Sequence, residues 1–158
     1  MTGLSLPPQP LQVSCAIIER QGLVLAAQRS AVMSHPGKWE FPGGKIVPGE
    51  SAAEGLRREI LEELGVELNI GRQLPPHTHR YPALTVSLYP FVCTISTGEP
   101  VLHEHQAIIW SPPAELSRLD WAEADLPVLA AYLAKVNNPS PDSAATVSTE
   151  VRFFMHKE

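Results

Sequence analysis

Glu59, Glu62 and Glu63 are the side chains of this sequence that most need a chemical explanation. On a helix they stand at i, i+3 and i+4, so they project from one face and repel one another. A divalent cation converts that repulsion into a site. Hard ions such as magnesium take oxygen ligands and usually hold a substrate phosphate as well. Arg58 stands beside them, permanently charged and shaped for a bidentate carboxylate partner. It is expected to pair with Glu50 or Glu59 and to orient that carboxylate. Gly43 and Gly44 let the backbone come close, so that a carbonyl there can add a ligand.

Those carboxylates need a helix, and the sequence supplies its limits. Ser51 is a good N-cap and Glu54 completes a capping box, which predicts a start at Ala52. Gly65 supplies the left-handed residue that ends it. Leu56, Ile60 and Leu64 recur every four residues and form a narrow apolar stripe for a core.

Gly44, Glu50, Arg58, Glu59, Ile60, Glu62, Glu63, Gly65 and Val66 fall on every fixed position of one spacing. It runs Gly, five residues, Glu, seven residues, Arg-Glu-apolar, one residue, Glu-Glu, one residue, Gly-apolar. Chance agreement at average residue usage is below about 10⁻⁸ per position. The chain therefore resembles the Nudix hydrolases, which split a nucleoside diphosphate linked to another group using magnesium or manganese. The likeness extends over roughly residues 12–134. It includes WEFPGGKI, with Glu40 and Phe41, the Arg29 that follows LVLAAQ, HEHQAIIW, and ADLP. These segments are most similar to MutT-like members that convert nucleoside triphosphates, of the 8-oxo-dGTP or cytidine type, to a monophosphate and pyrophosphate.

The resemblance implies roles for individual residues. Glu59, Glu62 and Glu63 map onto metal-ligand positions, the carbonyl of Gly43 onto a further ligand, and Glu104 onto a glutamate outside the box. Arg58 and Glu50 complete the catalytic set. Arg29, Glu40, Phe41 and Asp125 map onto the nucleotide side, with Arg29 on phosphate or on the nucleotide edge. Where oxidised-guanine enzymes carry Asn, this chain has Asp125, and an ionised Asp only accepts hydrogen bonds. It suits the exocyclic amine of cytosine, or the N–H groups of a purine edge. Leu84 is a second departure, since some relatives carry arginine near that place.

Composition bounds the rest. The net charge of −5 argues against binding polymeric nucleic acid, which needs a basic surface. No apolar run approaches the ~20 residues of a membrane span. The first ten residues show no secretory signal, and a cytoplasmic protein, monomeric or homodimeric, is expected. Cys15 and Cys93 are expected to be buried and reduced. His103 and His105 lack a third nitrogen or sulfur partner, which speaks against zinc.

The organisation predicted is a loose Pro-rich leader over 1–10, one domain over 11–136, and a flexible tail over 137–158. Strands are expected at Val13–Ile18, Leu23–Ala27, Val66–Ile70, Leu84–Ile95 and His105–Trp110, with a short extended piece at Trp39–Phe41. Pro42-Gly43-Gly44 should turn the chain into the box. Residues 74–82 should be a loop or an edge, and Pro90 implies an edge position or a bulge. A brief helical turn should end near Leu119. Asp125 is a plausible N-cap for a last helix over Leu126–Val136, with Leu126, Leu129, Leu133 and Val136 facing inward. This order suggests an α/β protein with a mixed sheet between helices, which agrees with the α/β/α sandwich that the Nudix resemblance implies.

The expected function is magnesium-dependent (manganese-compatible) hydrolysis of nucleoside triphosphates that cleanses the nucleotide pool. The alternatives are a Nudix pyrophosphatase acting on a dinucleotide or nucleotide sugar such as ADP-ribose, and a non-catalytic nucleotide sensor.

Overall fold

Leu11–Arg20 forms strand β1, and the alternation of its side chains divides the interior in two. Cys15 and Ile17 enter one core with Val24, Ala26, Phe41, Trp121, Leu129 and Tyr132. Ala16 and Ile18 enter the other with Leu25, Leu56, Ile60, Leu64 and Trp110. A strand covered on both faces is apolar at consecutive positions, which explains the unbroken run in the sequence. The structure is a computed structural model, and it describes residues 9–137. Most of the Pro-rich leader and nearly all of the tail lie outside the described residues.

A turn at Gln21 and Gly22, both with positive φ, leads into β2 (Leu23–Gln28), which suits a two-residue hairpin. Along β2 run β3 (Trp39–Glu40) and, further on in the chain, the strand at Ala107–Ser111, both antiparallel. On its own edges β1 is joined by β4 (Gly43–Lys45), antiparallel, and by the long strand Thr85–Thr97, parallel. Between β4 and that long strand come helix α1 (Ala52–Leu64), β5 (Glu67–Gln73) and β6 (His77–Arg80). The long strand is β7, Ala107–Ser111 is β8, and α2 (Leu126–Asn137) closes the described chain. Strands β5 and β6 both pair antiparallel with β7. The sheet is mixed, with α1 over one face and α2 over the other: an α/β/α sandwich. Among the described residues no helix is long and apolar enough to cross a membrane.

Several expectations need correction. Pro42-Gly43-Gly44 is not simply a turn: Gly43–Lys45 is a strand paired with Val13–Cys15. Within the stretch expected to be a loop or an edge, residues 77–80 take the edge alternative, pairing with β7 alone. Pro90 lies in the interior strand β7, beside Cys15 of β1, so of the expected edge or bulge it meets the irregular pairing and not the edge. The missing N–H is tolerated because β6 pairs only as far as Leu88 and β5 resumes at Phe91, with an irregular register between Ile70 and Gln73. In α2 the buried positions are Val128, Leu129 and Tyr132, whereas Leu126 is 49% and Val136 37% exposed. Tyr132 carries the contact that the leucine spacing did not reveal: its hydroxyl donates to Glu19 of β1. Asp125 does not cap α2. It ends a 3₁₀ turn, Glu123–Asp125, and its carboxylate accepts from the backbone of Phe41 instead.

Cys15 and Cys93 are buried free thiols in opposite cores, and burial pushes both up.

Candidate active site

The capping box forms as the sequence demands: Ser51 Oγ accepts from Glu54 N–H, and the Glu54 carboxylate accepts from Ser51 N–H. Gly65 closes the helix with φ 70° and an N–H to Leu61. With Leu56, Ile60 and Leu64 fully buried, the opposite flank of α1 lies against β4. That contact sets the site.

Arg58 is the organiser of this end. Its Nη2 donates to Glu50 at 2.7 Å and its Nε to the same carboxylate at 3.2 Å. Its Nη1 donates to Glu59 at 2.8 Å, and Nη2 also reaches the Lys45 carbonyl at 3.0 Å. The Glu50 and Glu59 hydrogen bonds hold the guanidinium proton more tightly still. Glu50, hydrogen-bonded by Arg58 and by the Val47 N–H, stays below the usual carboxylate range. Arg58 thus pairs with both acids and with the strand facing the helix.

Glu59 fits against Gly44 so closely that a side chain there would displace it: a Cβ would lie 2.4 Å from the Glu59 carboxyl carbon. Gly43 is equally constrained, since a Cβ would meet the Ser14 carbonyl oxygen at 1.9 Å. Glu63, one turn on, is buried, and its Oε2 has no hydrogen-bond partner among the described residues. Burial, then the charges of Glu40, Glu59 and Glu104, push its carboxyl up to about 9, while the Gly43 N–H pulls the other way. Glu62 is different: its side chain is 61% exposed, 3.8 Å from Arg58. Glu104 is exposed in the segment before β8.

Among the described residues no three acidic, histidine or cysteine side chains form a finished metal cage. Arg58 holds Glu59 aside and Glu62 faces solvent. The donor set nonetheless fits a hard divalent ion. It comprises a buried carboxylate oxygen lacking a partner, three further acids whose charge falls on it, and a glycine cradle around Glu59.

A second group lies deeper. Arg29 Nη1 donates to Glu40 Oε1 at 2.6 Å, and His105 Nε2 lies 2.7 Å from Glu40 Oε2. Arg29 also engages the Ser34 hydroxyl and carbonyl. Phe41 packs on Trp121 with ring centroids 4.7 Å apart, and its N–H donates to Asp125 Oδ2 at 2.9 Å. Burial, then the Glu40 charge, push Asp125 up to about 8, against the opposing pull of the Phe41 N–H and of Arg29. Arg29, Glu40, Phe41 and Asp125 are therefore gathered at one place. Leu84 stands apart from them, lining an open cleft of about 950 Å³ with Gln12, Lys45, Arg80 and Tyr81.

His105 was missed as part of this group, because a histidine between two polar residues reads only as a ligand or as surface. The signal lay in the ladders. Gln28 pairs with Trp39 on one side and with Ala107 on the other. Glu40 pairs with Ala27, one residue before Gln28, while Arg29 follows Gln28 and His105 precedes Ala107 by two, so the three lie around one end of β2.

Residues 8–132 match the family described as NUDIX domain. A CTP pyrophosphohydrolase of Escherichia coli is 40% identical over 124 residues, covering 78% of this chain and 92% of that protein. An 8-oxo-dGTP diphosphatase of the same organism is 30% identical over 121 residues, covering 76% and 94%. Among solved structures, the E. coli ORF135 protein superposes with a TM-score of 0.74 at 37% identity, covering 85% of this chain and 96% of that one.

Proposed function

The chain belongs to the NUDIX family and is a hydrolase, and from that premise we propose that it cleaves nucleoside triphosphates to a monophosphate and pyrophosphate. Its relatives' names, a CTP pyrophosphohydrolase and an 8-oxo-dGTP diphosphatase, support that substrate class. The observation that carries the reading is the buried Glu63 Oε2, which has no hydrogen-bond partner among the described residues and on which the charges of Glu40, Glu59 and Glu104 act.

Family membership implies a divalent metal, and we assign magnesium, with manganese as a substitute. Glu59, Glu62, Glu63, Glu104 and the Gly43 carbonyl would hold it. When bound, the ion neutralises phosphate charge and lowers the pKa of a coordinated water. The chain's own residues do the rest. Arg58 holds Glu50 and Glu59 in one orientation, so these carboxylates are already ordered before an ion and substrate arrive. Gly44 leaves the space that Glu59 fills. Glu40 and Asp125 serve the nucleoside as hydrogen-bonding groups, the buried Phe41 holds Asp125 through its N–H, and Arg29 holds Glu40. Water attacks the phosphorus nearer the sugar, and pyrophosphate leaves.

The test is incubation with magnesium and a panel of canonical and oxidised NTPs, dNTPs, ADP-ribose and dinucleotides, with product identification. A monophosphate plus pyrophosphate from one or more triphosphates is expected. Inorganic phosphate as the sole released product, or turnover confined to ADP-ribose or dinucleotides, would overturn the proposal.

A further inference from the structure

The buried histidine at the entrance to β8 has no place in the scheme above. His105 is almost wholly inaccessible, its Nε2 is 2.7 Å from Glu40 Oε2, and its Nδ1 has no partner among the described residues. The opposite carboxylate oxygen of Glu40 is taken by Arg29 at 2.6 Å. Glu40 is therefore gripped on both oxygens by donors from two different strand ends, while its side chain stays 14% exposed.

We infer that His105 is a positioning residue for the nucleotide: together with Arg29 it fixes the Glu40 carboxylate in the one orientation that faces substrate. This rests on the triphosphatase reading, in which Glu40 belongs to the nucleotide side.

Three observations carry it. First, the placement is built by backbone, not by a mobile loop. Gln106 N–H donates to the Gln28 carbonyl, the bond just before the β2–β8 ladder begins, so His105 and Arg29 are locked to each other's strand ends. Second, a carboxylate with two charge-capable donors in buried surroundings loses its rotamer freedom, which is what a recognition group needs. Third, Glu40 stands between the two halves of the site: its charge acts on Glu63 on one side and on Asp125 on the other. A swing of this one side chain would change both. Because Arg29 remains when His105 is lost, the carboxylate would stay in the site but not in register.

Geometry chooses the variants. The amide nitrogen of Gln reaches the place of the imidazole Nε2, whereas Asn ends near Nδ1 and cannot touch Glu40. His105→Gln should therefore keep KM for the preferred triphosphate close to that of the parent protein. His105→Asn should raise KM about tenfold, with kcat changed less than about threefold. In a Glu40→Gln background the two His105 variants should no longer differ, because the effect passes through that carboxylate. Calorimetric titration with an α,β-methylene triphosphate and magnesium gives the same comparison without turnover: Asn weakened, Gln not. A histidine that only fills space would lower the melting temperature of both variants and leave KM and Kd equal between them. That result, or full persistence of the Asn effect in the Glu40→Gln background, would overturn the inference. Absence of triphosphate turnover in the parent protein would instead defeat the reading of the reaction, and the binding comparison would still decide the role of His105.

Discussion

A Cβ on residue 44 would lie 2.4 Å from the carboxyl carbon of Glu59, closer than side chains are ever packed. Gly44 is thus the space that Glu59 occupies. Its neighbour Gly43 has a different constraint, the backbone of β1 at 1.9 Å. The two glycines predict different defects. Gly44→Ala should leave the ladder to Ser14 in place and push Glu59 off its position. Displacing a reacting group by about 1 Å can cost ~10²-fold in rate, and a loss of that order in kcat/KM with a nearly normal melting curve is expected. Gly43→Ala should instead break the β1–β4 pairing and unfold the protein at lower temperature. Comparable melting losses for both variants would refute the assignment of Gly44 to the site.

Arg58 bridges Glu50, Glu59 and the Lys45 carbonyl. Only a planar fork with several donors can hold those partners at once, so lysine is no substitute. Arg58→Lys should lower apparent affinity for magnesium by about 10–100-fold, the usual cost of losing a residue that orients ligands. Titrating activity against magnesium gives the number. Saturating metal should restore much of the rate, because Glu59 and Glu63 themselves remain. A variant that lost rate with an unchanged magnesium dependence would place Arg58 on the substrate rather than on the acids.

The helix of the site was fully legible in the sequence, since capping and glycine termination are local effects. Ser51, Glu54 and Gly65 behave as their residue types dictate. The second half of the site was readable only as separate fragments. Glu40, Arg29 and His105 are far apart in the chain and meet through the pairing of β2 with β3 and β8, a long-range fact that no local pattern encodes. Asp125 was misread for a related reason. An Asp before an apolar helix looks like a cap, yet here the nearest unsatisfied amide is that of Phe41, brought up by tertiary packing. Leu129 and Leu133 face the core as their spacing predicts, but Leu126 and Val136 misled because the buried stripe of α2, Val128, Leu129 and Tyr132, reaches neither end of the helix.

Glu63 offers a separation of activity from stability. Its carboxylate is buried among like charges, and one oxygen has no partner. Glu63→Gln replaces a carboxyl that burial and its acidic neighbours push up to about 9 with a neutral amide of the same size, so the melting temperature without metal should match or exceed that of the parent. Turnover should be lost. Magnesium should raise the melting temperature of the parent, through binding to the folded state alone, and should raise that of the variant far less. Differential scanning fluorimetry with and without magnesium measures both. A variant that melts well below the parent in the absence of metal would show that Glu63 supports the fold.

Asp125 links stability to pH. Burial and the neighbouring Glu40 push its carboxyl up to about 8, from an ordinary value of 3.8. Between those values the folded protein keeps a proton that the unfolded chain has released, so stability falls as pH rises from about 4 to about 8. Asp125→Asn keeps an oxygen to accept from Phe41 N–H and carries no titrating group. Its melting temperature should exceed that of the parent at pH 8.5 and converge with it towards pH 4. The same protonation bears on the base. At neutral pH a carboxyl holding its proton can donate as well as accept, so it resembles the amide that oxidised-guanine enzymes use more closely than an ionised Asp would. The ratio of kcat/KM for cytidine over 8-oxoguanine triphosphates should therefore rise with pH in the parent and stay flat in Asp125→Asn. If both proteins show the same ratio at every pH, Asp125 serves Phe41 alone and does not read the base.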